Sequence, residues 1–288
     1  MGLPSGGGTG KSEEEGPQCF CPGRGGPLVR TVVEVRQVVR ETPSTVTLRF
    51  AYGARARPGQ FVMVWFPGDD EIPMSLSYTE DGDLKGVTIK AMGRTSRRAL
   101  DLRVGDPLGI RGPYGHPFDL SPQRILVISG GSGGAVLAPA AEAAARSGSL
   151  VTVANGATTA PELLFEDRFR RIARGGYFPA TDDGSRGEHG FVTQVADRVL
   201  AEGSFDAIWT CGPEKMMKKV LALGDRHGVP AFFSLERHMK CALGICDACA
   251  FGPYHVCQDG PIFPSAVVRQ VPDFGEFKRG PAGTVERF

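Results

Sequence analysis

The chain has 288 residues, 41% of them hydrophobic, with 33 Lys and Arg against 32 Asp and Glu and a formal charge of +1. That length holds two domains and a small appendage, and the even charge speaks against a nucleic-acid or membrane-surface footprint. No apolar run approaches the ~20 residues of a membrane span and no apolar secretion core opens the sequence; a reducing cytoplasm is therefore expected to house its seven cysteines.

Residues 1–26 are rich in Gly, Pro and Glu and read as a disordered tail. Within it, Gly6 to Ser12 imitates a phosphate-binding loop. Ser5 stands where that motif places Gly, and no strand precedes it. Cys19 and Cys21 form a C-x-C that reads as an idle pair.

From Leu28 the pattern becomes β. Val29, Thr31, Val33 and Val35 alternate with Arg30, Glu34 and Arg36, and Val46, Leu48 and Phe50 alternate with Thr45, Thr47 and Arg49. Phe61 to Phe66 is an apolar strand after the turn Pro58-Gly59-Gln60, and Val87, Ile89 and Ala91 alternate with Thr88 and Lys90. Short strands between turns predict an antiparallel β-barrel over 27–120, closing near Arg111 to Gly115. Pro73-Met74-Ser75-Leu76-Ser77 begins a compact strand in it. Gly93-Arg94-Thr95-Ser96 is expected to open a helix from Arg97 to Leu102, an anion site with two hydroxyls.

After Pro122 the period changes. Ile125 to Ile128 is short and wholly apolar, as a buried parallel strand requires. Gly130-Gly131-Ser132-Gly133-Gly134 and an Ala-rich helix to about Arg146 follow. Further strands are expected at 150–154, 177–180, 205–210 and, last, 231–235, with helices at 161–173, 192–202 and 214–223. Alternating strands and helices predict an open parallel α/β sheet over 121–232. In such sheets ligands sit at the carboxyl ends of the strands. The Gly turn at 130–134 suits a pyrophosphate on a helix N-terminus, and Cys211-Gly212-Pro213 suits a tight turn beneath a flat ligand. Asp182, in Thr181 to Ser185, is a candidate ribose or nicotinamide contact.

Residues 233–288 hold the most specific signal. Cys241, Cys246 and Cys249 stand in C-x4-C-x2-C spacing with Cys257 behind them, the plant-type pattern for a [2Fe–2S] cluster. Gly244 supplies the sharp turn that three converging thiolates need. A zinc site would more often show two C-x2-C knuckles. His238 and His255 flank the cysteines, and His116, His189 and His227 read as loop residues.

A barrel, a nucleotide-binding α/β domain and a C-terminal cluster loop resemble the ferredoxin–NADP reductase superfamily. Within it the chain is similar to the electron-transfer subunits of two-subunit, NAD-dependent dihydroorotate dehydrogenases. The residues that carry the likeness are Ser234 to Cys241 before the cluster and Val256 to Phe263 after it. Ala180 to Ser185, Gly190 to Thr193 and Glu162 to Phe165 add to it. The match spans about 28–265. The resemblance implies FAD on the barrel, with its ring beside Pro73, Met74, Ser75, Leu76 and Ser77. Its other contacts would be Ile89, Lys90 and Ala91, and its pyrophosphate would lie near Gly93, Arg94, Thr95 and Ser96. It implies NAD(H) at Gly130, Gly131, Ser132, Gly133, Gly134, Asp182, Cys211, Gly212 and Pro213, and cluster ligation by Cys241, Cys246, Cys249 and Cys257. It further implies an FMN-containing partner subunit, in a heterotetramer, where dihydroorotate becomes orotate in pyrimidine biosynthesis. One position departs: the family commonly has Arg before Pro-x-Ser, and Ile72 stands here. Flavin phosphate is then left to backbone N–H groups, Arg94 or Lys90. The same cofactor set would also suit a hydrogenase, sulfide dehydrogenase or ferredoxin:NADP reductase partner. From another class, the four cysteines alone would suit a metal-binding interaction module.

Overall fold

The computed structural model describes residues 29–280 and 283–287; the tail at 1–26, with its P-loop imitation and its C-x-C, lies outside the described residues. Strands β1 (Thr31–Thr42), β2 (Thr45–Ala51), β3 (Phe61–Trp65), β4 (Glu71–Asp81) and β5 (Leu84–Lys90) come first. After α1 (Arg94–Arg98), β6 (Pro107–Tyr114) completes a closed barrel in the order β1-β2-β5-β4-β3-β6. Alternate side chains of a strand point to opposite faces. Val46, Leu48 and Phe50 therefore fill the barrel together with Val62, Val64, Leu76, Val87, Leu108 and Ile110. Thr47 and Thr88 point outward yet are buried, because the α/β unit covers that face. Their hydroxyls meet at 2.8 Å, and Thr88 donates to Ser77 Oγ at 2.8 Å. In β1 the alternation is weaker: Val35 is fully buried while Val32 is exposed.

The helix expected from Arg97 begins earlier. Ser96 Oγ accepts the N–H groups of Met92 and Gly93 at 2.9 Å each, which fixes Gly93 as the N-cap and starts α1 at Arg94.

The second unit holds parallel strands β7 (Arg124–Gly130), β8 (Leu150–Ala157), β9 (Tyr177–Thr181), β10 (Glu188–His189), β11 (Ala207–Cys211) and β12 (Ala231–Ser234). Helices α2 (Gly134–Arg146), α3 (Glu166–Ile172), α4 (Val192–Glu202) and α5 (Glu214–His227) connect them. The Ala-rich α2 packs closely on β4 of the barrel. A buried pair pins the two units: Arg168 binds Glu142 at 2.8 Å, donates to Ser77 O at 3.1 Å, and lies 4.2 Å over the Tyr78 ring. His189 belongs to β10 rather than to a loop, and His227 closes α5, 2.8 Å from Asp197.

The sheet does not end at β12. The chain passes through β13 (Ala250–Phe251), β14 (Tyr254–His255) and α6 (Val256–Asp259). It then returns as β15 (Ile262–Pro264), antiparallel to β12 with Phe233 opposite Phe263. The full order is β10-β9-β8-β7-β11-β12-β15. A short α7 (Ser265–Val268) and a hairpin of β16 (Phe277–Arg279) and β17 (Val285–Arg287) follow. Among the described residues no helix is long and apolar enough to cross a membrane.

Candidate redox cofactor site

The four cysteines lie in the connection between β12 and β15. Cys246 is exposed, Cys241 is half-buried, and Cys249 and Cys257 are buried. The thiol that bears most on Cys241 is Cys246, and the one that bears most on Cys249 is Cys257. A two-iron cluster takes two thiolates on each iron, so four thiols in one loop fit the cluster. Among the described residues no three Cys, His, Asp or Glu side chains are grouped as for a single ion. The backbone supports the sulfurs: Leu243 N–H donates to Cys241 Sγ and Gly244 N–H to Cys257 Sγ, both at 3.3 Å. Gly244 has φ +71°, which is what aims its N–H inward. Ala242 (φ 60°) and Asp247 (φ 59°) take the same left-handed conformation without being Gly, local strain of the kind held at functional loops. Burial raises the Cys241 thiol, but the N–H groups of Ile245, Leu243 and Cys246 outweigh it and bring it down to about 7. A hydrogen bond from Cys257 holds Cys249 at about 6, and the same bond pushes Cys257 up. Cys241 and Cys249 are thus the readier thiolates, the form in which metal binding takes all its cysteine ligands.

The loop docks on the barrel. His116 N–H donates to Gly260 O at 2.7 Å. A Cβ on Gly115 would stand 2.5 Å from Pro261 Cδ, so the end of β6 and the far side of the cluster loop touch.

Two turns that are separate in sequence meet at the carboxyl end of the sheet. A Cβ at Gly133 would lie 2.2 Å from Cys211 O and 2.9 Å from Gly212 N. Gly130 ends β7, Gly131 to Gly133 form the turn, and Gly134 begins α2. Gly131 has φ +55° with open space around it. Ser129 Oγ and Asn155 Oδ1, register neighbours on β7 and β8, are buried without a hydrogen-bond partner. An open glycine turn on a 13-residue helix, above unused buried oxygens, fits a nucleotide. Gly133→Ala is therefore expected to cost about 1–3 kcal/mol by forcing backbone apart and to weaken NADH binding. Gly131→Ala should cost about 1 kcal/mol from strain alone. Thermal melts and NADH titration of both variants check this, and equal effects would refute it.

Cys211 ends β11 and is fully buried, with Gly212 and Pro213 leading into α5. Glu236 Oε1 lies 4.0 Å from Cys211 Sγ. Burial first and the Glu236 carboxylate second push this thiol well above the ordinary range. Sequence reasoning named Glu236 only as part of the segment before the cluster. Asp182 is exposed after β9, clear of the Cys211 turn; its neighbour Asp183 accepts Ser185 N–H at 3.0 Å.

On the barrel, Pro73 and Ser75 share the outer face of β4 and are half-buried, while Ile72 and Met74 pack against the barrel core. That placement accounts for Ile72: its position faces inward, opposite Val64. Leu76 fills the core and Ser77 lies under the α/β unit. Ile89 is a core residue, Lys90 ends β5, and Ala91 N–H donates to Ser44 O at 2.8 Å. Lys90 lines a shallow notch together with Gly131 and Ser132, so the flavin-side and nucleotide-side candidates lie side by side. Lys90 is already paired with Glu162 at 3.7 Å, and Arg94 with Asp69 at 3.2 Å. Thr95 Oγ1 also donates to Asp69 at 3.2 Å. With Lys90 and Arg94 both paired, the backbone N–H groups at the start of α1 are the donors best placed for a flavin phosphate.

A closed barrel, a parallel nucleotide-type sheet and four thiols on a docked loop define an iron–sulfur reductase of the ferredoxin reductase fold. The solved structures agree. A chain of the NADH-dependent reduced ferredoxin–NADP oxidoreductase, studied for flavin-based electron bifurcation, is 30% identical. It superimposes with a TM-score of 0.75 over 82% of this chain and 89% of that one. A ferredoxin NADP+ reductase from Neisseria gonorrhoeae with bound FAD and NADP shares the fold at 18% identity, with a TM-score of 0.60 over 69% of this chain and 92% of that one.

Residues 236–269 match the family model described as the iron–sulfur cluster binding domain of dihydroorotate dehydrogenase B. Over 85% of this chain and 94% of its own length, a Thermoplasma volcanium protein is 43% identical; its name reads "Probable dihydroorotate dehydrogenase B (NAD(+)), electron transfer subunit". A Methanocaldococcus jannaschii protein of the same name is 37% identical over 88% and 96%. The chain belongs to the family of dihydroorotate dehydrogenase B electron transfer subunits.

Proposed function

We propose that the chain passes electrons between NAD and an FMN-bearing dihydroorotate dehydrogenase subunit in pyrimidine biosynthesis, in the cytoplasm. The observation that carries this reading is the gathering of Cys241, Cys246, Cys249 and Cys257 in one β12–β15 connection that is fixed to the barrel, with backbone N–H groups turned to Cys241 and Cys257 Sγ. These four residues hold a [2Fe–2S] cluster. FAD would be held along Pro73 to Ser77 and by Ile89 to Ala91 and Gly93 to Ser96, with Leu76 and Ile89 offering backbone alone because their side chains fill the barrel. NAD(H) takes Gly130 to Gly134, Asp182 and Cys211 to Pro213. When bound, the flavin exchanges two electrons with the nicotinamide as a hydride, and the cluster exchanges them one at a time with the partner.

The chain's own residues bind, orient and exclude. Gly131 opens the turn so that the N-terminal N–H groups of α2 face a pyrophosphate. Gly133 and Cys211 close the sheet end tightly enough to keep a nicotinamide on the flavin side. Buried Cys211 stays a neutral thiol, a small wall beside the Glu236 carboxylate. The Leu243 and Gly244 N–H groups offset charge on Cys241 and Cys257, which favours the reduced cluster.

Anaerobically prepared protein should carry FAD, iron and acid-labile sulfide, and its visible bands should bleach with NADH. Purified with its partner, it should bring down an FMN subunit that oxidises dihydroorotate. A colourless protein holding zinc, or a nickel-bearing or multi-cluster partner, would overturn the proposal.

A further inference from the structure

Arg111, in β6, is held on three sides through its guanidinium. Nε and Nη2 hold the Glu71 carboxylate at 2.7–2.9 Å. Nη2 also donates to Lys240 O at 3.0 Å, and Nη1 donates to Cys241 O at 2.8 Å and to the Tyr114 hydroxyl at 2.9 Å. All three nitrogens therefore donate to different groups in a planar fork, and the Glu71 ion pair closes one side, a pattern only Arg provides. The pair is sheltered, with side chains 12% and 14% exposed. Glu71 begins β4 and lies on the same outer face as Pro73 and Ser75. Cys241 carries the first of the four thiols. One ion pair thus spans from the strand assigned to the flavin to the backbone of a residue assigned to the cluster.

We propose that Arg111 is a positioning residue for electron transfer: it locks the Cys241 side of the cluster loop to the flavin strand, and its balance with Glu71 tunes the cluster potential. This rests on the cofactor reading above. The carbonyls of Lys240 and Cys241 turn their negative ends to the guanidinium, which fixes the backbone from which Leu243 N–H reaches Cys241 Sγ. Charge acts separately from geometry. Reduction adds an electron to the cluster, so a nearby cation favours it and a nearby anion opposes it. Arg111→Met leaves Glu71 with Arg30 at 3.5 Å as its remaining ion-pair partner shown. Glu71→Gln leaves the Arg111 charge without this counter-ion.

The test uses the full chain with its partner subunit, as wild type, Arg111→Met, Arg111→Lys and Glu71→Gln. Mediated titration followed by electron paramagnetic resonance reads the cluster potential. Hydrogen–deuterium exchange reads the backbone at 240–246, and rapid mixing with NADH reads the rates of flavin and cluster reduction. The potential should fall in Arg111→Met and rise in Glu71→Gln, whereas simple loosening would move both the same way. Exchange at 240–246 should rise about tenfold in Arg111→Met for lost charge-assisted hydrogen bonds, with partial rescue in Arg111→Lys. The ratio of cluster to flavin reduction rates should fall by about tenfold or more. If Arg111→Met does not fold, Glu71→Gln must still raise the potential and Arg111→Lys must still raise exchange. Wild-type protein loaded with both cofactors, beside variants of unchanged potential and exchange, overturns the Arg111 proposal alone. Wild-type protein that binds neither cofactor overturns the functional reading and this proposal with it.

Discussion

Cys246→Ser is expected to purify with its flavin and without its cluster, iron and sulfide falling below about one-tenth of wild type. The hydroxyl is a poor substitute for a thiolate on iron, and Cys246 would be one of the four ligands of the proposed cluster. Cys246 is exposed, so the exchange removes almost no packing. The same change at Cys249 or Cys257 would disturb the core and confuse two effects. Hydride transfer uses the glycine turn and the face of β4, so flavin bleaching by NADH should stay within about twofold. Turnover from dihydroorotate to NAD should drop by about 100-fold or more, since electrons then lack their exit. Loss of flavin bleaching as well would mean that the cluster and the flavin do not act as separable parts.

Glu214→Ala is expected to destabilise the protein by about 3–5 kcal/mol, lowering the melting temperature by about 10 °C. Glu214 is the first residue of α5, and its side chain is 4% exposed against 3% for its partner Arg237. It also accepts Gly275 N–H at 2.9 Å. Arg237 donates to Glu236 O at 2.9 Å and lies 5.4 Å over the Phe251 ring. Removing the carboxylate takes from the buried Arg237 its direct ion-pair partner, with Asp273 farther off as a remaining anion, and loosens the segment that leads into Cys241. Cluster content should therefore fall together with stability. The solvent-facing pair of Arg198 and Glu202 should by contrast give about 0–1 kcal/mol when broken. Calorimetry of Glu214→Ala beside Glu202→Ala decides the matter; equal melting temperatures would remove the buried pair from the account.

What could be read from sequence was local. β2 carries its inward face in a two-residue period, β7 holds the unbroken apolar run Ile125 to Ile128, and the cysteine spacing lies within one short loop. What could not be read depends on distant partners. Arg111 meets Cys241 across 130 positions, and no pattern near either residue marks the contact. The three residues of β15, one of them Pro264, are too few to show a period, so the pattern in the sequence ends the sheet at β12. Glu236 becomes notable only because β11 delivers Cys211 within 4.0 Å of it. The glycine turn is ambiguous as a motif, because part of its demand for Gly comes from the Cys211 carbonyl across the sheet. Ile72 looks like a missing cation until β4 shows that its side chain faces the barrel interior.

The antiparallel partnership of β12 with β15 has an evolutionary corollary. Two adjacent antiparallel strands need only a turn of two to five residues between them. The cysteine segment occupies the place of that turn, with both its ends stitched by Leu235 N–H to Pro261 O at 2.9 Å. Such a segment can be gained or lost by insertion into a plain flavin reductase without rewiring the sheet. An ancestor lacking it, or a laboratory chimaera with a short turn spliced in, would remain a folded two-electron enzyme.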